Sequence, residues 1–299
     1  MHTVRFAEYG APSVLTVEEA DRPEPGRGQV RVAVKAAGVN PFDVKVRSGA
    51  MRFGTLPRGL GSEVAGTVDA LGEGVTDTAV GEAVAGWALT GGYAEYALVG
   101  TYAAKPEELD WAQAAALPVA GEAALRGLRE LAPRKGETLL VHGASGTVGA
   151  IAVQFAVAGG VTVVGTAGEA NLERVQALGA IPVAYGEGLA DRVREAAPQG
   201  VDAVLDAAGH GVLPDAIALR GGTTERIVTL ADGAAQELGV RFSSGGAAGQ
   251  TPEVLRTLLD AQAQGRLVMP EPRLMSLANA AQAHAELEAH GSGKIVLIP

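Results

Sequence analysis

The sequence predicts an α/β protein in two parts, a small β-barrel and a doubly wound parallel sheet with helices on both faces. Three observations predict this. Up to Val99, short runs of alternating apolar and polar residues are separated by Gly and Pro clusters. From Glu137 onward, strand-like and helix-like runs take turns, the pattern of successive β-α-β units. The apolar run 294–298 is a strand with no helix after it, so it is expected to return to the barrel. A length of 299 residues agrees with two parts, at roughly 150 residues per domain.

The elements follow in order. Residues 4–6 alternate, 8–12 form a turn, and 14–18 alternate again. After the breaker cluster 23–28, residues 29–36 keep clean period-two alternation, a strand with one buried face. Residues 64–71, 79–87 and 91–99 read as further strands, the first two separated by Gly72-Glu73-Gly74. Residues 107–129, rich in Ala, Leu and Glu, read as helix broken near Pro118. The alternating part then gives strands at 138–142, 161–165, 181–184, 201–206, 226–230 and 240–242. Helices are expected at 147–158, 170–178, 189–196, 212–219 and 252–264, the first apolar almost all round and therefore buried.

Composition narrows the function. The chain is 47% apolar, enough for a sizeable core, and its net charge of −10 makes electrostatic binding to nucleic acid or an anionic membrane a poor expectation. It contains 0 Cys, which excludes disulfides, thiolate metal sites, iron–sulfur clusters and a cysteine nucleophile, and fits a reducing cytoplasm. No run of about 18 strongly apolar residues suggests a membrane span, and the first residues do not read as a signal peptide.

The strongest motif is Val141-His142-Gly143-Ala144-Ser145-Gly146-Thr147-Val148-Gly149. It follows a buried strand and opens a buried helix, the context a dinucleotide-binding loop requires. Gly146 lets backbone approach a pyrophosphate, and Gly149 lets helix and sheet pack closely. The helix N-terminus offers free N–H groups to phosphate. The first glycine of the usual G-x-G-x-x-G falls on Ala144, giving an A-x-G-x-x-G variant. An ordinary tight turn, or a methyltransferase loop, is the competing reading. An acidic residue ending the second strand would select NAD through the ribose hydroxyls. Here that strand ends Thr166-Ala167-Gly168, and no carboxylate appears until Glu169. Asn171, Arg174 and Tyr185 can then donate hydrogen bonds to a 2′-phosphate, so NADP(H) is the expected cofactor; Arg174 as a solvated helix residue is the alternative.

The whole chain resembles the zinc-independent quinone oxidoreductase branch of the medium-chain dehydrogenase/reductase superfamily. The resemblance rests on Glu8-Tyr9-Gly10, the run from Gly38 to Gly49, the run from Gly61 to Val68 and Gly91-Gly92-Tyr93-Ala94-Glu95-Tyr96. It continues through Ala114 to Gly121, the Gly-rich loop and Gly293-Lys294-Ile295-Val296-Leu297. It implies a GroES-like β-barrel domain (1–112 and 268–299), a Rossmann domain binding NADP (113–267), and commonly a homodimer. Zinc-dependent relatives carry ligands where this chain has Asn40, Ser62 and Val119. None of these three suits a catalytic zinc, and the five histidines show no ligand spacing, so no metal is expected.

The resemblance further implies a nicotinamide cleft in which the cofactor performs the hydride step while the protein aligns donor and acceptor. Asn40 is the first catalytic candidate, its amide bonding nicotinamide or a substrate oxygen; a turn-forming Asn before Pro41 is the alternative. Lys45 stands where many relatives carry a cleft-facing Tyr and is the second; a surface Lys paired with Asp43 is the alternative. Glu63 is expected to be structural. Ala144, Ser145, Gly146, Thr147, Val148, Gly149, Thr166, Ala167, Ala208 and Leu230 are the remaining cofactor candidates. Ala123 replaces a common Thr, and His210 a common Gly. The small residues Ser243, Ser244, Gly245 and Gly246 suggest a roomy pocket or a dimer edge. The expected activity is NADPH-dependent reduction of a quinone or enone. The alternatives are an enoyl-thioester or polyketide-tailoring reductase, and a non-enzymatic NADPH sensor.

Overall fold

The computed structural model describes residues 1–289 and 293–299; His290, one of the five histidines weighed as ligands, lies outside them. In chain order the elements begin with β1 (His2–Phe6), β2 (Thr16–Glu19), β3 (Val30–Val39), α1 (Pro41–Ser48), β4 (Arg58–Gly59), β5 (Glu63–Leu71), β6 (Ala83–Ala88) and β7 (Tyr96–Ala104). Helices α2 (Trp111–Ala115) and α3 (Pro118–Leu131) follow. Then come β8 (Thr138–His142), α4 (Thr147–Ala158), β9 (Thr162–Ala167), α5 (Leu172–Ala177), β10 (Ile181–Ala184) and α6 (Leu189–Ala196). After β11 (Ala203–Asp206), α7 (Leu213–Leu219), β12 (Ile227–Thr229) and β13 (Arg241–Phe242), the chain closes with α8 (Pro252–Ala263), β14 (Arg273–Ser276), α9 (Ala280–Glu288) and β15 (Ile295–Ile298).

Two compact units result. The first holds Met1–Val119, Gln250–Arg266 and Pro270–Pro299; the second holds Ala120–Gly249 and Leu267–Met269. Helix α8, which the sequence suggested belongs with the nucleotide part, groups with the first unit, where it packs on β7.

In the first unit the sheet order is β14-β15-β3-β5-β6-β7, and β3 also pairs with β7, which closes β3, β5, β6 and β7 into a barrel. The alternating Val30, Val32 and Val34 of β3 point into it with Val64, Val68, Val84 and Val99. β15 does return to the barrel, pairing Ile295 with Val39 and Leu297 with Ala37. Two strand starts differ from expectation by four or five residues. Residues 79–82 form a turn, with Gly81 at φ +97, so β6 begins at Ala83. Gly91 and Gly92 form another, where a Cβ on Gly91 would lie 2.7 Å from the Leu60 backbone nitrogen, so β7 begins at Tyr96.

The second unit is a parallel sheet in the order β10-β9-β8-β11-β12-β13. Its first strand, β8, has β9 on one side and β11 on the other, so chain direction across the sheet reverses between β8 and β11. Crevices at such a reversal, outside the carboxyl ends of the strands, are where open α/β sheets bind ligands. Leu140, Val164, Val204 and Ile227 fill one face against Leu189, Val193 and Leu213. Among the described residues, no helix is long and apolar enough to cross a membrane.

Candidate active site

In the second unit, the loops after β8, β11 and β12 meet at the carboxyl edge of the sheet. Gly143 turns the chain at φ +76, and its carbonyl accepts from Gly146 N–H at 3.0 Å. A Cβ on Gly149 would lie 2.2 Å from the Gly143 carbonyl oxygen, so only glycine lets α4 start this close to the strand. Gly146 is the N-cap, and Ala150 N–H makes the first helical bond to its carbonyl at 2.8 Å. Thr147, Val148 and Gly149 therefore carry the free N–H groups of a first helical turn, with Ser145 half-buried just before them. Ala144 serves differently. It is fully buried, and its N–H is held by the Thr166 carbonyl at 2.9 Å, so it is a packing position.

A row of four buried polar side chains crosses the same edge. Register places Thr166, His142, Asp206 and Thr229 side by side on β9, β8, β11 and β12. Thr166 Oγ1 and His142 Nδ1 are 3.1 Å apart, and Thr229 donates to Asp206 Oδ2 at 2.7 Å. Burial holds the His142 pKa down at about 4, with Asp206 and Asp215 pulling weakly the other way. Asp206 Oδ1 accepts N–H groups from Ala208 and Gly209, each at 2.9 Å, and its carbonyl accepts from Leu230 at 2.8 Å. Ala208 thus abuts Gly143, its Cβ 3.3 Å from where a Gly143 Cβ would stand.

β9 ends without a carboxylate. Ala167 is buried, and Gly168 lies beside Tyr185, whose hydroxyl oxygen is 3.4 Å from where a Gly168 Cβ would stand. Tyr185 is exposed and anchored by its N–H to Ala167 at 3.0 Å. Asn171 closes the turn after Gly168 through a 2.8 Å backbone bond, and Arg174 is half-buried on α5. These residues fit an adenosine 2′-phosphate: donors are present, and the carboxylate that would repel it is absent. Ala123 sits half-buried on α3. Ser243 is buried, donating to Glu130 at 2.8 Å and accepting Arg126 at its carbonyl at 2.7 Å, while residues 244–246 are exposed.

The first unit holds a second polar cluster, assembled by sheet register. β15 pairs Ile295 with Val39, and β3 pairs Gly38 with Glu63, which brings Lys294, Asn40 and Glu63 together. Lys294 Nζ donates to Asn40 Oδ1 at 2.6 Å and to the Val39 carbonyl at 3.2 Å, and it pairs with Glu63 Oε1. Asn40 Nδ2 donates to the same Glu63 oxygen at 2.8 Å, and Val119 N–H donates to Glu63 Oε2 at 2.7 Å. Asn40 is also the N-cap of α1, ahead of Pro41, the turn position that the sequence offers as its alternative role.

Asp43, in the first turn of α1, is fully buried. It accepts from Ser62 Oγ at 2.7 Å, Asn40 N–H at 2.9 Å and Tyr93 Oη at 3.1 Å. Burial raises its pKa to about 6, with Glu63 adding to the rise and the Ser62, Asn40 and Lys294 contacts opposing it. Beyond it, Tyr93 Oη lies 3.3 Å from His284 Nε2, and burial keeps that imidazole neutral, its pKa lowered to about 3. Lys45 does not join this cluster. The buried face of α1 is Asp43, Val46 and Arg47, and Lys45 is half-buried off that face, so its suggested pairing with Asp43 is absent. The sequence reading missed the connecting roles of Lys294, Tyr93 and His284, and treated Glu63 as structural without a partner.

A catalytic zinc does not fit here. Val119 offers no side-chain donor, the Ser62 hydroxyl donates to Asp43, and the Asn40 oxygen already accepts an ammonium. Among the described residues, no group of three or more His, Asp or Glu is arranged to hold a metal.

Comparison with known proteins agrees with both units. The alcohol dehydrogenase GroES-like domain family matches residues 26–107, and the zinc-binding dehydrogenase family matches residues 147–254. A quinone oxidoreductase of Pseudomonas aeruginosa is 34% identical over 99% of this chain and 99% of its own. The solved Escherichia coli quinone oxidoreductase complexed with NADPH is similar at a TM-score of 0.89 and 26% identity, covering 100% of both chains. The solved CurK enoyl reductase is similar at a TM-score of 0.86 and 25% identity, covering 99% of this chain and 98% of that one. With a GroES-like barrel, a Rossmann sheet and a full-length relative above 30% identity, the chain belongs to the quinone oxidoreductase branch of the medium-chain dehydrogenase/reductase superfamily.

Proposed function

We propose that this protein is an NADPH-dependent, metal-free reductase that delivers hydride to a quinone or to the activated C=C of an enone. One observation carries the reading. The free N–H groups of Thr147, Val148 and Gly149 stand in a unit whose second strand ends in Ala167-Gly168, with Arg174 and Tyr185 nearby. That combination suits a pyrophosphate and a 2′-phosphate together. The NADPH complex of the E. coli relative supports the same choice. NADPH, when bound, supplies the hydride. The protein's part is to hold phosphates at α4, exclude a competing NAD-type carboxylate contact, and present the anchored amide of Asn40. Hydride addition leaves negative charge on the acceptor oxygen, and an N–H donor stabilises it.

An enoyl-thioester or polyketide-tailoring reductase is the second reading, favoured by the likeness to CurK. A homodimer, which the family resemblance implies, is part of the same proposal, with sedimentation as its test.

Fluorescence titration of the purified chain with NADPH and NADH, followed by NADPH oxidation across quinones, enones and enoyl thioesters, tests the reading. Tighter NADPH binding with quinone or enone turnover is expected. Turnover of enoyl thioesters alone would select the second reading. NADPH binding with no turnover on any acceptor would leave a sensor and overturn both.

A further inference from the structure

We propose that Lys294 and Glu63 are positioning residues that fix the polarity of the Asn40 amide, so that Asn40 meets its ligand as a hydrogen-bond donor only. This deepens the proposed function and rests on it for the identity of the ligand, a carbonyl oxygen of the acceptor or of the nicotinamide carboxamide.

The inference starts from an inventory of Asn40. Its backbone N–H goes to Asp43 Oδ2 at 2.9 Å, and its backbone carbonyl accepts Asp43 N–H at 3.0 Å. Its side-chain oxygen takes the Lys294 ammonium at 2.6 Å, and one Nδ2 hydrogen goes to Glu63 at 2.8 Å. An amide nitrogen carries two hydrogens, so one Nδ2–H remains. Rotating the amide by half a turn would set the NH₂ against an ammonium and the C=O against a carboxylate. Both contacts would be repulsive, so chemistry alone assigns which end is which.

The two ions are themselves held. Glu63 is fully buried and Lys294 is 7% exposed, so neither is free to swing out to solvent. A Cβ on Gly38 would lie 2.0 Å from Glu63 Oε1, so the carboxylate occupies space that only glycine at 38 leaves. Val119 N–H anchors the other oxygen at 2.7 Å. An acceptor-only or freely rotating Asn would not stabilise an oxyanion; a donor of fixed direction does so without reorganising during the reaction.

The test uses the full chain. Lys294→Met should lower kcat by roughly 10- to 100-fold, with the Kd for NADPH staying within about 2-fold where the donor meets the acceptor oxygen and weakening with kcat where it meets the nicotinamide carboxamide, and Lys294→Arg should recover to within about 5-fold of wild type. A second readout does not depend on turnover. The Asn40 side-chain NH₂ signals in a ¹H–¹⁵N spectrum, identified by their loss in Asn40→Ala, should shift and exchange faster with solvent in Lys294→Met. If that variant does not fold because it strands a buried carboxylate, the uncharged pair Glu63→Gln with Lys294→Met takes its place, with the same expected outcome. Unchanged Asn40 signals, or an unchanged kcat in a folded variant, would overturn the proposal. If wild type oxidises NADPH in the presence of none of the acceptors, the functional reading fails, and the NMR arm still decides whether Lys294 and Glu63 orient the amide.

Discussion

Thr229 on β12 donates its hydroxyl to Asp206 on β11 at 2.7 Å, and the same oxygen accepts the N–H groups of Ala231 at 3.1 Å and Asp232 at 2.9 Å. One hydroxyl thus joins two strand ends and the loop beyond them. Thr229→Val keeps the shape but leaves a buried carboxylate oxygen and two backbone donors short of partners. Urea unfolding should show a loss of about 1–3 kcal/mol, with Thr229→Ser close to wild type. An unchanged midpoint in Thr229→Val would show that the hydroxyl is dispensable.

The two glycines of the phosphate loop should respond differently to a methyl group. Gly149→Ala places Cβ 2.2 Å from the Gly143 carbonyl oxygen, a backbone atom that cannot step aside, whereas at Gly146 the nearest atom is 3.3 Å away. NADPH binding should be lost in Gly149→Ala, which also destabilises the second unit. Gly146→Ala should fold like wild type and bind NADPH more weakly, because its new methyl narrows the approach to the phosphates. Equal calorimetric melting points for the two variants would contradict this account.

Arg174 separates the two nicotinamide cofactors on the proposed reading. It is half-buried on α5, next to a strand end without a carboxylate. Arg174→Ala should weaken NADPH by about 10-fold, the value of one charge-assisted contact, and leave NADH unchanged. Parallel weakening of both cofactors in fluorescence titrations would place Arg174 outside the 2′-phosphate site.

His142 sets an acid limit on stability. Burial lowers its folded pKa to about 4 from 6.5, so its contribution is complete above about pH 6.5 and is lost as pH falls toward 4. At pH 5 the wild type should have lost about 2 kcal/mol relative to pH 7.5, compared with His142→Gln, which has no proton to gain there. His284 acts with the same sign. Asp43 acts with the opposite sign. Its pKa is raised from 3.8 to about 6, so its contribution is present below pH 3.8 and lost as pH rises through 6. Taking the difference between wild type and His142→Gln removes the other two groups. A flat difference between pH 5 and 7.5 would refute the assignment to His142.

The nucleotide unit was the more legible half. Strand 138–142 and helix 147–158 have the boundaries read from the sequence, because a continuous apolar run and a Gly-punctuated loop leave little choice. Helices α1 and α9 were not read. Their buried faces carry Asp43 and Arg47, and Ala280, Ala283 and His284, so the apolar stripe that marks a helix is missing. The Asn40 cluster was visible only as separate residues. Asn40 and Glu63 stood out through the family resemblance, but their links to Lys294 span 254 and 231 positions and exist only through strand register. Polar partners at such a separation leave no periodicity to find.

Insertion of β15 between β14 and β3 has a consequence for biosynthesis. Lys294 leaves the ribosome 254 residues after Asn40, roughly 13–50 s later at ~5–20 residues per second. By then every strand of the parallel sheet has been made, while β3 still lacks β15 along Ala37–Val39 and Glu63 its counter-ion. The end of β3 therefore waits with an open edge beside an unneutralised carboxylate, the state in which a nascent chain most needs chaperone cover. Nonsense truncations just short of Lys294 should leave a nucleotide unit able to fold and a first unit whose β3 end at Ala37–Val39 stays unpaired and whose Glu63 has no counter-ion.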